Sequence, residues 1–340
     1  MKRFSKVCLM MALVLGVLGV AGCTAGIALG AGKNIVLDEM RTQKTLYQVE
    51  RFLDMAEQFG DRINQNDWSE LAKKTGIEAL EYDDFTDAET TEYTFSKEEV
   101  KNIQMQTIGD IQIKASEDAQ VKVIVKARNC KIQVQTDQGG LKVTEENGGI
   151  GKKVSAIVRI LLPKSVEWED INLETSAGDI SVAEALQAQN IQMKSKAGDI
   201  LCKKKMQAGQ SIQVVDTAGD VELEDFDAPT GSVKVMSGDL DVKGTVKGNT
   251  ILENLAGDTE IKGRIQGELQ MNSTAGDVAL ELKGTLKDYD YDIKATCGDV
   301  NVNDKSYEKT VGGAYQQEFG AENKISVKCT AGDVDITVEE

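Results

Sequence analysis

The fold is decided by three copies of one short pattern: Ser176-Ala-Gly-Asp-Ile180, Lys196-Ala-Gly-Asp-Ile200 and Thr217-Ala-Gly-Asp-Val221. Five more Gly-Asp pairs follow, spaced by about 20 residues until a longer last interval, and a degenerate copy precedes them at Gly109-Asp110. The glycines of the eight regular copies are Gly178, Gly198, Gly219, Gly238, Gly257, Gly276, Gly298 and Gly332. A repeat of this length is typical of a solenoid, in which similar coils stack on each other.

Residues around each glycine form columns of constant character. The positions two and four after the glycine and five before it are apolar, and the positions between them are polar, which indicates strands with one buried face. The residue before the glycine is small, so that stacked corners can approach closely. We therefore predict that each repeat is a strand, a tight Gly-Asp turn and a second strand.

These patterns predict an all-β fold, a parallel β-solenoid (β-helix-like) with rungs of about 20 residues, over residues 95–340. Its first part contains strand-like segments at 121–125, 131–135 and 155–162, separated by Gly-Gly pairs and closed by Pro163. No single rung can bury its apolar side, and stacking gives all rungs one continuous core.

The N-terminus predicts a membrane anchor in residues 1–32. Lys2, Arg3 and Lys6 precede an uncharged apolar run over residues 7–32, long enough to cross a bilayer, and these flanking cations place the N-terminus in the cytoplasm. The expected localisation is the cell membrane, with the C-terminal domain extracellular. Alternatively, Val20-Ala-Gly-Cys23 is similar to the lipobox of lipoproteins, with Cys23 as the lipidated residue.

Residues 33–94 are predicted to be a helical stalk followed by an acidic linker. Apolar residues recur at helical spacing from 34 to about 80, whereas residues 81–99 are rich in Asp, Glu and Thr. The helical part can pack on itself or on the next domain, or it can form a short coiled-coil seam between chains.

Charge and composition exclude several classes of function. Lys and Arg number 39 against 56 Asp and Glu, a net charge of −17, which argues against nucleic acid as a partner. The chain has no histidine, which removes Ser-His, Cys-His and His-metal sites. We expect a protein that is not an enzyme. A carbohydrate-active β-helix enzyme using paired carboxylates is the least favoured alternative.

The aspartates that follow the glycines have two interpretations. They are Asp179, Asp199, Asp220, Asp239, Asp258, Asp277, Asp299 and Asp333. As turn residues, they accept hydrogen bonds from backbone N–H groups. The other interpretation is a column of calcium ligands between rungs, although the nonapeptide signature of calcium β-rolls is absent. No cofactor is expected, with calcium as the less favoured possibility.

The longer last interval contains extra residues over 304–323, with Tyr307, Tyr315 and Phe319 as its aromatic side chains. Such an insertion either caps the final rung or forms a loop that contacts a partner. Of the six cysteines, Cys8 and Cys23 lie in the predicted anchor, and Cys202, Cys297 and Cys329 lie in columns predicted to face inward. Cys297 and Cys329 are the one pair for which we would test a disulfide bond.

Three features of the sequence resemble those of a known family: the repeated SAGDI, KAGDI and TAGDV units, the strand ending at Leu161-Leu162-Pro163, and the stretch from Asp288-Tyr289-Asp290-Tyr291 into CGDVNVNDKSY. The chain resembles in them a bacterial envelope family of unknown function, known by the label "putative adhesin". This Gly-Asp repeat, β-strand-repeat-containing family implies a cell-surface β-solenoid and no catalytic residues. The expected function is a structural, adhesion or protein-interaction module of the cell envelope. Its partners would be the membrane, through residues 7–32, and an envelope protein or cell-surface polymer.

Two further functions remain as alternatives to adhesion. An envelope-stress accessory protein would bind a membrane sensor through residues 34–80, and a calcium-dependent surface spacer would use the aspartate column.

Overall fold

The computed structural model describes residues 88–116, 118–137, 139–146, 155–164, 166–303, 305–307 and 312–339. Every described residue belongs to one compact unit, Glu78–Glu340. The described residues form one large, mostly parallel β-sheet that coils around a single core. The prediction of an all-β, β-solenoid-like fold is confirmed for this part of the chain.

The sheet consists of short and long strands that follow each other with few intervening residues. They are β1 (Glu89–Ser96), β2 (Asn102–Thr107), β3 (Asp110–Ser116), β4 (Gln120–Arg128), β5 (Lys131–Asp137), β6 (Gly140–Glu146), β7 (Ser155–Pro163), β8 (Glu167–Thr175), β9 (Ile180–Val182), β10 (Leu186–Ser195), β11 (Ile200–Cys202), β12 (Met206–Asp216), β13 (Val221–Val235), β14 (Leu240–Ala256), β15 (Thr259–Ala275), β16 (Val278–Lys283), β17 (Tyr289–Cys297), β18 (Val300–Val302), β19 (Lys305–Ser306), β20 (Gly313–Gln317), β21 (Asn323–Ala331) and β22 (Val334–Glu339). A 3₁₀ turn, Leu286–Asp288, precedes β17.

Each regular coil has a strand on either side of a Gly-Asp corner. β10 leads into the corner at Gly198 and β11 leaves it. β10 pairs in parallel with β8 on one side and β12 on the other, and β11 pairs with β9 and β13. Matching residues of successive repeats therefore stack directly on each other, as the spacing of the repeats predicts.

The three predicted apolar columns form the core, and all of their members are buried. Five residues before the glycines, for example, Leu173, Met193 and Val214 are each 0% exposed. Burying one such side chain contributes about 1.5–3 kcal/mol, so the stack of columns stabilises the coils collectively. Phe226 and Tyr289 are the largest fully buried side chains among the described residues.

The coils do not stack in sequence order at the C-terminal end. β21 lies between β15 and β17, and β22 lies between β16 and β18. The last coil of the sequence is thus inserted between the two coils that precede it. The N-terminal end has a similar inversion, since β2 lies between β6 and β8, and β3 between β7 and β9.

Antiparallel strands close both ends of the stack. β4 pairs antiparallel with β7 and with β1, and β5 pairs antiparallel with β6. At the other end, β20 pairs antiparallel with β17, and β19 with β18. These strands cover the backbone edges that the terminal parallel coils would otherwise leave open.

The structure corrects one boundary suggested by the sequence. β1 covers residues that the sequence pattern assigns mainly to the acidic linker, so the sheet begins before residue 95. Tyr93 and Phe95 alternate toward the core and pack against it, and this two-residue period was obscured by the surrounding Glu and Thr. The predicted anchor, the lipidation site Cys23 and the predicted helical stretch over 34–80 lie outside the described residues. Within the described ranges, no helix has the length and apolar character needed to cross a membrane.

Candidate functional site: the aspartate corner and the surfaces beside it

Nine aspartates form a continuous hydrogen-bonded row along one corner of the solenoid. Eight of them, all except Asp110 at the end of the row, donate their backbone N–H to Oδ1 of the aspartate in the adjacent coil, at 2.8 Å in seven bonds and at 3.1 Å from Asp179 to Asp110. The spatial order is Asp110, Asp179, Asp199, Asp220, Asp239, Asp258, Asp277, Asp333 and Asp299. The structure thus brings all eight predicted aspartates together and adds Asp110, the degenerate copy.

The glycine of the corner is required by conformation and by space. Gly257 has a φ of 140°, which side chains rarely adopt. A Cβ atom on it would lie 2.0 Å from the carbonyl oxygen of Gly238 in the neighbouring coil. Positive φ, expected from the sequence for this turn, is found at six of the eight regular glycines, the exceptions being Gly178 and Gly298.

Inside the corner, a second column of polar side chains binds the glycine carbonyl groups. These residues lie three positions before the glycine, and each donates to the glycine carbonyl oxygen of the adjacent coil. The contacts are Thr175 Oγ1 to Gly109 O at 2.7 Å, Ser195 Oγ to Gly178 O at 3.4 Å, Asn254 Nδ2 to Gly238 O at 3.2 Å and Cys329 Sγ to Gly276 O at 3.5 Å. Thr175 and Asn254 are 0% exposed, so these bonds satisfy groups that water does not reach.

Asp216 occupies the same interior column and is the only carboxylic acid there among the described residues. Its side chain is fully buried, and neither carboxyl oxygen has a hydrogen-bond partner. Burial raises the pKa of Asp216 to about 7, and the charges of Asp199 and Asp220 add to this increase. The nearby N–H groups of Thr217 and Ala218 lower the pKa, although neither has the geometry of a hydrogen bond to the carboxyl group.

Sequence reasoning missed this interior column. This column contains Thr, Ser, Asp, Val, Asn and Cys, so it has no constant hydropathy and does not stand out beside the apolar columns. The sequence does contain one sign of this column. The residue three positions before the glycine is a small polar residue in several repeats, although alternation directs that position toward the core.

The outer row of aspartates has the arrangement expected for turn residues. Desolvation by burial raises the pKa values of Asp199, Asp239 and Asp277, and it raises the pKa of Asp110 to about 6. The backbone hydrogen bonds along the row oppose these increases. In the described part of the chain, no three His, Cys, Asp or Glu side chains are grouped closely enough to hold one metal ion. Calcium binding along this row stays a prediction.

One outward surface next to the corner is densely charged. Glu222, Asp241 and Glu260 lie at matching positions of adjacent coils. Lys243 contacts Glu222 at 2.7 Å, and Lys262 contacts Glu260 at 2.9 Å. Burial raises the pKa of Asp241. The charge of Lys243 opposes this increase, and the charges of Glu260 and Glu222 reinforce it. An acidic row therefore lies beside lysine side chains on this surface.

The outward surface on the other side of the corner combines an uncharged row with charged side chains, which include the ion pair of Lys234 with Glu253 at 3.2 Å. Its most regular row, six positions before the glycines, is mainly Asn, Gln and Ser: Asn172, Gln192, Gln213, Ser232, Ile251, Gln270, Ser326 and Asp292. Gln192 donates through Nε2 to Oε1 of Gln213. Met236, Ile251 and Leu255 are exposed apolar side chains, each at least 40% exposed.

The predicted partner loop over residues 304–323 supplies the C-terminal cap. The ring of Tyr315 lies 5.5 Å from that of Tyr291 and 4.8 Å from that of Tyr307, and Tyr315 is only 9% exposed. Tyr307 is partly buried against the core, whereas Phe319 is 40% exposed. Tyr307 and Tyr315 thus pack against the last coil, as a cap would. A partner role for the loop stays a prediction, and Phe319 is its accessible aromatic residue.

The cysteines of the described residues are free thiols, and Cys297 corrects the sequence interpretation. Cys202 and Cys329 are buried as predicted, but Cys297 is exposed. Cys297 is paired with Ala331, and Cys329 with Ala295, in adjacent coils. The alternation along β17 directs Cys297 outward, because it takes the small-residue position beside the glycine rather than an apolar position.

A cavity of about 330 Å³ lies where the first coils meet. Trp168 and Leu186 form apolar walls, and Lys164, Glu184 and Lys205 lie at its border. Lys205 is paired with Asp227 at 3.0 Å. Leu162 and Pro163, which end a strand predicted from the sequence, line this cavity, and none of the candidate site residues does.

Comparison with known families assigns the domain. The model of the family described as Toastrack DUF4097 matches residues 100–337, more than half of the chain. The chain belongs to the Toastrack DUF4097 family. This confirms the family resemblance drawn from the Gly-Asp repeat, and the matched region of the Toastrack domain includes every corner of the aspartate row.

Several solved structures are similar to this Toastrack protein. A "putative adhesin" from Bacteroides fragilis has 15% identity, covers 73% of this chain and 97% of its own, and has a TM-score of 0.38. A "putative lipid binding protein" from Parabacteroides distasonis has 13% identity, coverage of 74% and 97%, and a TM-score of 0.40. A "putative cell adhesion protein" from Clostridium sporogenes has 14% identity, coverage of 74% and 99%, and a TM-score of 0.24. None of these names is that of an enzyme. A comparison with curated proteins gave no match.

Proposed function

We propose that this Toastrack protein is an interaction module of the cell envelope. It is anchored by its N-terminal segment, faces the outside of the cytoplasmic membrane and binds a protein or polymer of the cell surface through its outward rows of side chains. The observation that carries the proposal is the repetition of these rows over successive coils. Each row presents its side chains at the spacing of adjacent strands, about 4.8 Å, and one kind predominates in it, as acidic side chains do at Glu222, Asp241 and Glu260.

Such rows suit an extended partner. A polymer or an extended peptide that follows the solenoid axis would meet similar side chains at each coil, so that many weak contacts add together. The charged surface, with Glu222 and Lys243, offers ion pairs. The row of Asn, Gln and Ser side chains on the other side of the corner offers hydrogen-bond donors and acceptors. These surfaces differ in chemistry and can be tested separately.

The closed ends support a role for the sides of the solenoid. An open terminal strand invites another chain to extend the sheet, and antiparallel strands such as β4 and β20 cover the terminal parallel coils. Binding at the ends would have to replace or extend these caps. Binding along the sides requires no change in the fold.

Photo-crosslinking in living cells tests which surface binds. A photoreactive amino acid is placed in the full chain at Gln270 in the row of Asn, Gln and Ser side chains, at Glu281 on the charged surface, or at Lys287 in the 3₁₀ turn as a control. We expect a covalent adduct with another envelope component from Gln270 or Glu281 and none from Lys287. Adducts from Lys287 alone, or from none of the three, would contradict binding through the rows.

The type of anchor needs its own test. Cells that produce the full chain are grown with a labelled fatty acid, and the wild type is compared with Cys23→Ser. Incorporation that depends on Cys23 would establish a lipid anchor. A membrane-bound wild type without label would establish the apolar segment over 7–32 as a transmembrane anchor, and recovery of the protein in the cytoplasm would overturn the proposed location.

A further inference from the structure

Asp216 lies where other coils place a hydrogen-bond donor. In three regular corners the equivalent residue, Thr175, Ser195 or Asn254, donates to a glycine carbonyl oxygen of the preceding coil. Asp216 is aligned with Ser195 in β10 and with Val235 in β13, so it belongs to the same column. A carboxylate has no hydrogen to donate, whereas a carboxylic acid has one O–H group.

The carboxyl group of Asp216 and the carbonyl of Gly198 border the same small space. The position that a Cβ atom of Gly219 would take is 2.4 Å from the oxygen of Gly198 and 2.9 Å from Oδ2 of Asp216. The side chain is 0% exposed, and both of its oxygens lack a hydrogen-bond partner. An ionised carboxylate here would face the partial negative charge of the carbonyl oxygen without water to separate them.

We propose that Asp216 is held as a carboxylic acid in the folded protein and donates its proton to the carbonyl oxygen of Gly198, which makes this corner a pH-sensitive element of the solenoid. The proton replaces the hydroxyl hydrogen of Thr175 and Ser195 in the equivalent corners. Loss of the proton removes the hydrogen bond and places an unpaired negative charge inside the corner.

The surroundings favour the neutral acid. The paired residues on the adjacent strands, Ser195 and Val235, carry no charge. The charged groups that act on Asp216 are Asp199, in the corner of the preceding coil, and Asp220, in its own corner, and both disfavour a second negative charge. With burial as the main cause, the pKa of Asp216 rises from 3.8 to about 7.

The sign of the effect follows from proton binding. A carboxyl group whose pKa is higher in the folded than in the unfolded protein stabilises the fold below its unfolded pKa. This contribution is lost as the pH rises from about 4 to about 7. The contact between the coils of Asp199 and Asp220 should therefore become less stable at neutral to alkaline pH. The corners with Thr175, Ser195 and Asn254 should keep their hydrogen bonds.

The chain itself provides matched variants. Asp216→Asn supplies an uncharged N–H donor of the same shape, as Asn254 does in another corner. Asn254→Asp introduces the proposed element in a second corner. Glu322→Gln removes an exposed carboxylate from the cap and serves as the control for general charge effects.

The experiment is urea unfolding of the full-length protein between pH 4 and pH 9, in buffers with sodium, potassium or calcium. We expect the unfolding midpoint of the wild type to fall, relative to Asp216→Asn, by about 1 M urea between pH 4 and pH 8, and Asn254→Asp to add a second decrease. Glu322→Gln should follow the wild type. A constant difference between wild type and Asp216→Asn across this range would overturn the proposal.

Two further results separate the alternatives. The infrared difference between the folded wild type and folded Asp216→Asn at pH 6 should contain the band of a protonated carboxylic acid, because Asp110 and the other row aspartates contribute equally to both proteins. This difference tests the proton on Asp216 directly. Absence of the band from the difference would overturn the proposal. Restoration of the midpoint at pH 8 by one of the cations would mean that Asp216 is an ionised cation ligand, which also overturns it.

Discussion

Asp333 donates its backbone N–H to Oδ1 of Asp277 at 2.8 Å, although the two residues are 56 positions apart in the sequence. Asp299, which lies between them in the sequence, donates to Asp333 and has no direct bond to Asp277. The last coil of the chain is therefore internal to the stack. Its side chains Val327 and Val334 are fully buried, as in a central coil.

The coil order predicts which engineered cysteines can form a disulfide bond. Thr274 is adjacent to Thr330, and Thr330 is adjacent to Thr296, on one outward surface. In a background with Cys297→Ser, we expect a bond in Thr274→Cys/Thr330→Cys and no bond in Thr274→Cys/Thr296→Cys, because residues 274 and 296 are two coils apart. Mass spectrometry under oxidising conditions distinguishes them. A bond in the second pair alone would show that the coils stack in sequence order.

The aspartate row predicts opposite effects of two substitutions at one position. Oδ1 of Asp239 accepts the N–H of Asp258 at 2.8 Å. Asp239→Ala removes this acceptor and should lower the free energy of unfolding by about 1 kcal/mol. Asp239→Asn keeps the acceptor and removes one of a row of like charges, so it should be neutral or stabilising. Equal destabilisation by both variants in urea unfolding would show that charge, rather than the hydrogen bond, is what matters.

The raised pKa values of the corner predict a general dependence of stability on pH. Burial raises the pKa of Asp110 to about 6, and it raises those of Asp199, Asp239 and Asp277. Because the folded state holds these protons more tightly than the unfolded state, their contribution is lost as the pH rises through the folded pKa values. We expect a higher urea midpoint at pH 5 than at pH 8, with part of the difference remaining in Asp216→Asn. A midpoint that increases with pH would contradict this interpretation.

Calcium provides a separate test of the row. Each Oδ1 atom from Asp110 to Asp333 already accepts a backbone hydrogen bond. If the aspartates are turn residues, adding calcium or a chelator should change the thermal unfolding midpoint of the protein by little. An increase of many degrees with calcium, abolished by Asp239→Asn, would make the row a metal site.

The repeat made the coils and their inward columns predictable from sequence. Residues such as Ile180, Val182 and Leu173 recur at fixed distances from a glycine, and alternation determines which side of a strand they take. The same argument failed at Cys297, where a small exposed residue was counted with apolar ones. It also missed β1, in which Tyr93 and Phe95 lie among acidic residues and threonines.

Coil order and the interior donors could not be obtained in this way. The coils of Asp299 and Asp333 have the same column pattern, so either can pair with the coil of Asp277, and periodicity does not distinguish them. Thr175, Asp216 and Asn254 have different hydropathies and share only their position next to a glycine carbonyl. Their common role depends on the direction of that carbonyl group, which a sequence does not display.

The side of the membrane on which the domain lies is the point on which the proposed function depends most directly. Cys297 is exposed, whereas Cys202 and Cys329 are buried, so a thiol reagent that does not cross membranes should report the location of the domain. In intact cells producing the full chain with Cys130→Ser, we predict labelling that is lost when Cys297→Ser is added. Labelling of Cys297 only after the cells are opened would place the domain inside and contradict the proposed role as an external interaction module.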